Sequence, residues 1–110
     1  MLKILNYIDG DHQSPISNQW IDNYDPSIGK IYSQIPDSDE REVEMAYQSA
    51  EKAFPAWSNT SKEERSRIML DIALKIKEHA NELALAESVD NGKPVSLAKQ
   101  VDIPRASSNM

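Results

Sequence analysis

The chain has 110 residues, enough for at most one small domain, and its 39% apolar and 27% charged residues are typical of a globular segment. Its net charge of −6 argues against a nucleic-acid partner, and no apolar run is long enough to span a membrane. The lack of cysteine excludes disulfides and thiolate-bound zinc. Because the opening residues do not resemble a signal peptide, a cytoplasmic location is expected.

The first third of the chain, residues 4–36, is predicted to be extended. Asp9-Gly10 favours a tight hairpin turn, and the polar residues 11–17 after it are predicted to form a loop. Strands are predicted at three runs of residues, 4–8, 20–24 and 30–35. The segment therefore indicates an edge hairpin or a three-stranded ribbon, which needs a partner surface for stability.

Residues 37–110 are predicted to be helical. Apolar side chains recur at steps of three and four over residues 37–57, which is typical of one face of a helix. Since proline disfavours helical geometry at the preceding residue, Pro55 predicts an end near Phe54. The N-cap is left open among three adjacent residues, Asp37, Ser38 and Asp39.

A second helix is predicted to begin at Ser61, because Ser61 and Glu64 have capping-box spacing. A third helix is predicted to begin near Asn81. It should end at Gly92, because glycine often closes helices in the left-handed conformation. His79 is interpreted as a solvated side chain at a helix end, where its charge suits the helix dipole.

The last part of the chain is predicted to hold two further short helices. One is expected over residues 95–100. Asp102 is expected to cap another, with Pro104 in its first turn. Because this last helix has two turns at most, and short isolated helices are unstable, it is expected to pack against something beyond the chain.

Few residues indicate a catalytic or metal site. His12 and His79 are too far apart in sequence to suggest a local metal site. The segment 91–94, Asn-Gly-Lys-Pro, lacks the spacing of a phosphate-binding loop and is interpreted as a helix stop. The serines have no neighbouring His and Asp in an arrangement that would suggest a hydrolase.

Six segments, in this order, resemble segments of the NAD(P)-dependent aldehyde dehydrogenase superfamily: Asn6–Gly10, Asp25–Ile31, Ala53–Ser58, Glu64–Leu70, Glu87–Pro94 and Val101–Ala106. They are distributed in the family's order over nearly the whole chain, so the chain is identified as a member. Tyr24–Ser27 combined with Asp102–Arg105 is most similar to the branch that oxidises 2-aminomuconate or 2-hydroxymuconate semialdehyde.

The resemblance implies an α+β fragment of an α/β fold. An N-terminal β-hairpin or ribbon, a β arm of residues 1–36, would precede three to four helices. Those helices, in residues 37–110, would form an incomplete outer layer of the cofactor-binding domain. In the family the β arm packs against the oligomerisation region, so the implied partners are the rest of the dehydrogenase or another protomer.

The resemblance also implies an oxidoreductase that converts an aldehyde to a carboxylic acid with NAD or NADP. In the family a thiolate adds to the aldehyde, hydride leaves to the nicotinamide, and a glutamate activates water. The catalytic cysteine and glutamate and the cofactor-contacting residues lie beyond residue 110, so no catalytic or cofactor-binding residue is assigned. We therefore expect a truncated, N-terminal fragment that is inactive alone, binds no cofactor, and meets the aldehyde only in the full-length enzyme.

Many members of the family hold a monovalent cation within each subunit. By resemblance, two of its ligands would be the backbone carbonyl of Asn23 and the carboxylate of Asp102. Oxygen ligands suit a hard cation, but the remaining ligands would come from outside this chain.

An alternative function stays open. The same β arm and helices could form a stand-alone interaction or assembly module derived from the family. The enzyme-fragment interpretation is favoured, because residues such as Ile68, Ile72, Val101 and Ile103 are typical of surfaces buried against a partner.

Overall fold

The computed structural model describes all of residues 1–110. It divides into two compact units, one of residues 1–24 and 30–59 and one of residues 25–29 and 60–110. The predicted order, a β region followed by helices, is confirmed. The strands are β1 (Leu2–Lys3), β2 (Asn6–Ile8), β3 (Asp11–Gln13), β4 (Trp20–Asp25) and β5 (Lys30–Pro36). The helices are α1 (Glu40–Ser58), α2 (Lys62–Glu78), α3 (Ala80–Asn91), α4 (Val95–Leu97), a π turn (Ala98–Asp102) and α5 (Ile103–Ser108).

The first unit contains a three-stranded sheet in the order β1-β5-β4. β1 runs parallel to β5, with Leu2 opposite Ser33. The single strand predicted at residues 4–8 is wrong, because the chain changes partner within it. The Ile4 amide still donates to the Gln34 carbonyl at 2.9 Å, whereas the next residues, in β2, pair with β3 instead.

A separate hairpin joins β2 to β3 in antiparallel pairing. Asp9 and Gly10 both have positive φ, 54° and 84°, the conformation of the two-residue turn that matches strand twist. The loop predicted from residue 11 is therefore wrong for Asp11–Gln13. A tight turn brings the returning chain directly alongside β2, where the rings of Tyr7 and His12 lie 5.1 Å apart.

Helix α1 is capped by Asp39, one of the three predicted candidates. The capping box is completed by the buried Glu42, whose Oε2 accepts from the Asp39 amide at 3.0 Å. Its Oε1 accepts from the Ile16 amide at 2.6 Å. One carboxylate therefore joins the start of α1 to the chain that follows β3.

The predicted end of α1 near Phe54 is wrong, because the helix continues through Pro55 to Ser58. Pro55 lies in the last turn, so its missing N–H removes only the bond that the Glu51 carbonyl would have accepted. The carbonyl of Pro55 itself accepts from the Asn59 amide at 3.3 Å and from the Ser58 hydroxyl at 3.0 Å. These bonds close the helix one turn later than predicted.

In the second unit, the predicted start of α2 is confirmed by the bond from the Glu64 amide to Ser61 Oγ, at 3.1 Å. Helix α3 begins at Ala80, slightly before the predicted Asn81. His79 makes this possible, because its amide donates to the last turn of α2 and its carbonyl accepts from Leu83. No side-chain cap is used there.

The end of α3 is confirmed at Gly92, which is left-handed with φ 77°. The helix predicted to start after Asp102 is present as α5, with Pro104 in its first turn, but the predicted cap by Asp102 is wrong. Asp102 has helical φ and ψ and makes no side-chain cap, because α4, the π turn and α5 follow one another without a break. The widened turn lets the Ile103 amide donate to the Ala98 carbonyl, just before Pro104, which has no N–H to donate.

Few apolar side chains are covered in either unit. The buried hydrophobic residues are Ile8, Ala84 and Ala98. By contrast, Val43 and Phe54 on α1 are 67% and 65% exposed, and Leu70 on α2 is 59% exposed. Surfaces of this kind indicate association with other protein. None of the helices combines the length and the apolar character that a membrane span requires.

We expect Glu42→Gln to destabilise the first unit by about 1–3 kcal/mol, because an amide can accept only one of the two backbone bonds. Its NH₂ group would instead face a donor, the amide of Ile16 or of Asp39. The matched control is Glu44→Gln, since Glu44 is exposed and accepts only from Gln48. Urea unfolding followed by far-UV circular dichroism measures both, and equal losses would contradict this account.

Acid should weaken the start of α1 through Asp39. The hydrogen bonds from the Arg41 side chain hold the pKa of the Asp39 carboxyl well below its usual range. A folded-state pKa below the unfolded value of about 3.9 contributes stability above that pH, which is lost as the pH falls towards the folded value.

The test compares the wild type with Asp39→Asn, which keeps the cap but not the charge. The difference between their urea midpoints should be largest above about pH 5 and should shrink as the pH falls. A difference that is the same at every pH would show that the charge of Asp39 does not contribute.

We expect Gly92→Ala to cost more than Gly29→Ala. Both glycines have positive φ, so each substitution strains the backbone by about 1 kcal/mol. A Cβ at Gly92 would also lie 2.9 Å from Pro26 Cγ, whereas one at Gly29 would meet nothing within 4 Å. In a Pro26→Ala background the two losses, measured by urea unfolding, should become equal, and a persistent gap would contradict the steric explanation.

Candidate functional site

The least exposed ion pair lies in the second unit, where the chain leaves α3. Lys93 Nζ is 2.6 Å from Asp102 Oδ2 and 4.0 Å from Glu87 Oε1. The side chains of Lys93 and Asp102 are 30% and 29% exposed. We call Glu87, Ser88, Lys93 and Asp102 the Lys93 cluster.

The left-handed turn at Gly92 positions Lys93. The Gly92 amide donates to the Ser88 carbonyl at 2.9 Å, and the Ser88 hydroxyl donates to the Lys93 carbonyl. Asn91 Oδ1 accepts from the Lys93 amide at 2.8 Å. With its backbone held at both ends, Lys93 reaches Asp102, which the π turn presents as part of a continuous helix.

The Lys93 cluster can hold two segments together, and its two groups that could act as nucleophiles are already engaged: the Lys93 ammonium pairs with Asp102, and the Ser88 hydroxyl donates to the Lys93 carbonyl. The chain contains no thiol, and no group of three or more His, Cys, Asp or Glu could hold a metal ion. The cluster is therefore a structural ion pair with a neighbouring carboxylate and hydroxyl.

The two residues predicted as cation ligands belong to different units. Asn23 lies on β4, and its side-chain amide donates to the Tyr32 hydroxyl at 2.9 Å. Asp102 already has the Lys93 ammonium on one oxygen, so a cation on this carboxylate would compete with a tethered positive charge. The cation site stays a prediction.

The second unit also has an open apolar groove of about 600 Å³ between α2 and α5. Leu70, Ala73, Ile103 and Pro104 line it, and Lys77 stands at its side. The Ser107 hydroxyl donates to the Ala73 carbonyl at 2.9 Å, which holds α5 against α2. Ile103, which the sequence predicts to face a partner, is half-buried in this open surface.

Sequence reasoning misses the role of Lys93. It interprets the segment 91–94 only as a helix stop, and that part is confirmed. The ion pair depends on the π turn, which places the Asp102 carboxylate within reach of Lys93, the residue after Gly92. The local sequence contains one signal that could have indicated this role, a basic residue, Lys93, directly after the turn glycine, Gly92.

Comparisons with known proteins agree with the resemblance. The model of the aldehyde dehydrogenase family matches residues 12–110. Human 2-aminomuconic semialdehyde dehydrogenase is 43% identical over 109 residues, covering 99% of this chain and 22% of the human protein. An aldehyde dehydrogenase of Deinococcus radiodurans is 42% identical over 101 residues, covering 92% of this chain and 20% of its own length.

Solved structures share the fold. HpcC from Thermus thermophilus superposes with a TM-score of 0.94 at 33% identity, covering 97% of this chain and 21% of that one. PnpE, solved in complex with nicotinamide adenine dinucleotide, gives 0.92 at 34% identity, covering 97% and 22%. The α+β fragment of this fold is thereby confirmed.

The chain spans about a fifth of the length of the relatives it matches. The family model nevertheless covers all but the first 11 residues. The chain therefore belongs to the aldehyde dehydrogenase family and matches an N-terminal segment of it.

Proposed function

We propose that this chain supplies the outer layer of the cofactor domain of an enzyme that oxidises an aldehyde to a carboxylic acid with NAD or NADP, and that it is inactive alone. The observation that carries the proposal is the match over 99% of this chain to only 22% of an aldehyde dehydrogenase. The β arm of residues 1–36 and the helical layer of residues 37–110 are its proposed parts.

Chemistry supports the inactivity. Covalent oxidation of an aldehyde by this family needs a thiolate, and the chain has no cysteine. The least exposed ion pair, that of Lys93 with Asp102, already engages the charged groups of the Lys93 cluster. The nucleophile would have to come from protein outside this chain.

The cofactor and substrate are proposed at the level of the complete enzyme. PnpE was solved with nicotinamide adenine dinucleotide, which favours NAD or NADP for a complete relative of this chain. The relatives named for 2-aminomuconic semialdehyde favour a semialdehyde as the substrate class. The cation at Asn23 and Asp102 is a further proposal that rests on the resemblance, and the cytoplasmic location is one that rests on the opening residues.

Exposed apolar surface supports the proposed partner, the rest of the dehydrogenase or another protomer. In the first unit, Val43, Tyr47 and Phe54 on α1 are all more than half exposed. In the second unit, Leu70 lies open in the groove between α2 and α5. Covering such surfaces stabilises a folded segment by removing apolar area from water, at roughly 25 cal/mol per Å².

The proposal is tested with a chimera in which residues 1–110 replace the matching segment of human 2-aminomuconic semialdehyde dehydrogenase. We expect the chimera to reduce NAD⁺ in the presence of the aldehyde, whereas the human protein without that segment should not. Purified residues 1–110 should give no turnover above background.

Two outcomes would overturn the proposal. One is NAD-dependent turnover by residues 1–110 that survives removal of host enzymes. The other is a chimera no more active than the truncated human protein. Failure of the chimera, combined with tight binding of residues 1–110 to an intact dehydrogenase, would instead support the alternative of a stand-alone interaction module.

A further inference from the structure

Asn91-Gly92 is the one Asn-Gly pair in the chain, and both residues are exposed at the end of α3. We propose that Asn91 is a deamidation site that the fold protects, and that the reaction proceeds only when the end of α3 opens. This inference rests on local geometry and is independent of the proposed function.

The reaction needs no enzyme, oxidant or cofactor. The backbone nitrogen of Gly92 attacks Cγ of Asn91 and forms a new C–N bond. The bond from Cγ to Nδ2 breaks, and ammonia leaves with the proton that the Gly92 nitrogen gives up. Water then opens the cyclic imide to aspartate or isoaspartate. Glycine favours this reaction because it has no side chain to obstruct the attack.

The folded structure engages the attacking nitrogen. The Gly92 N–H donates to the Ser88 carbonyl at 2.9 Å. Gly92 also has φ 77°, and the Pro26 ring lies so close that an added Cβ would be 2.9 Å from Pro26 Cγ. The turn is therefore held by a hydrogen bond and has the Pro26 ring close beside it.

The folded structure also anchors the group under attack. Asn91 Nδ2 donates to Glu87 Oε1 at 2.6 Å, and Asn91 Oδ1 accepts from the Lys93 amide at 2.8 Å. Ring closure requires the amide carbon to swing towards the Gly92 nitrogen, which breaks both bonds. The last turn of α3 must open before the reaction can proceed.

The product would not fit the folded turn. A carboxylate at residue 91 would face the Glu87 carboxylate in place of a donated hydrogen bond. Isoaspartate would also add a carbon to the main chain directly before Gly92, whose turn directs Lys93 towards Asp102. Deamidation would therefore irreversibly modify molecules in which the end of α3 has opened.

The experiment follows deamidation of Asn91 in the full chain at mildly alkaline pH by mass spectrometry of the peptide that contains it. Samples without urea, shown to be helical by circular dichroism, are compared with samples in denaturing urea. We expect the reaction in urea to be at least about tenfold faster, because the rate follows the open fraction. Asn59, Asn81 and Asn109, which precede larger residues, serve as internal references.

Glu87→Ala tests the anchor. It removes the acceptor for Asn91 Nδ2 and should raise the rate without urea several-fold, leaving the rate in urea unchanged. The matched control is Glu82→Ala, on the same helix, where the exposed Glu82 contacts His79 instead. Equal rates with and without urea, no reaction at Asn91 in urea, or equal effects of the two variants would overturn the proposal.

Discussion

The carboxylate of Glu42 is the constraint on which the first unit depends. It is buried, yet the two protein groups that satisfy it are backbone amides, those of Asp39 and Ile16. Removing it would leave two donors without an acceptor, and a buried unsatisfied group costs about as much as several buried methylene groups contribute. Ile8 is the only buried hydrophobic residue of this unit. The hydrogen bonds to Glu42 therefore fix the relative positions of its segments, which an apolar core does in larger domains.

The second unit is also held together by polar contacts, which are made by different groups. Its buried hydrophobic residues are two alanines, Ala84 and Ala98, which allow close approach but cover little area. The Ser107 hydroxyl holds α5 to α2, and the ion pair of Lys93 with Asp102 holds the turn after α3 to the π turn. Directional polar contacts thus define the geometry, and the large apolar side chains remain available for association. This division agrees with the proposal that the chain associates with further protein.

Features set by local chemistry could be predicted from the sequence. The serine cap of α2 and the left-handed glycine after α3 need only neighbouring residues, and the capping acid of α1 is among three candidates. Features set by contacts between distant segments could not. The chain changes partner after Ile4, whose amide donates to Gln34 far along the chain, and Asp102 pairs with Lys93 across the turn after α3 instead of capping a helix. Only part of the candidate site could therefore be predicted. The sequence identifies Asp102 but not its partner Lys93.

The polar contacts, the exposed groove and the chemistry of Asn91 are connected at the end of α3. Opening there costs a free energy that depends on everything stabilised by the closed turn, including the ion pair of Lys93 with Asp102. A protein that binds only the folded second unit lowers the population of open molecules by mass action, even where it touches none of these residues. Association through the exposed apolar groove would therefore slow the chemistry of Asn91 at a distance. The extent of deamidation at Asn91 would then increase with the time that the second unit had spent without a partner.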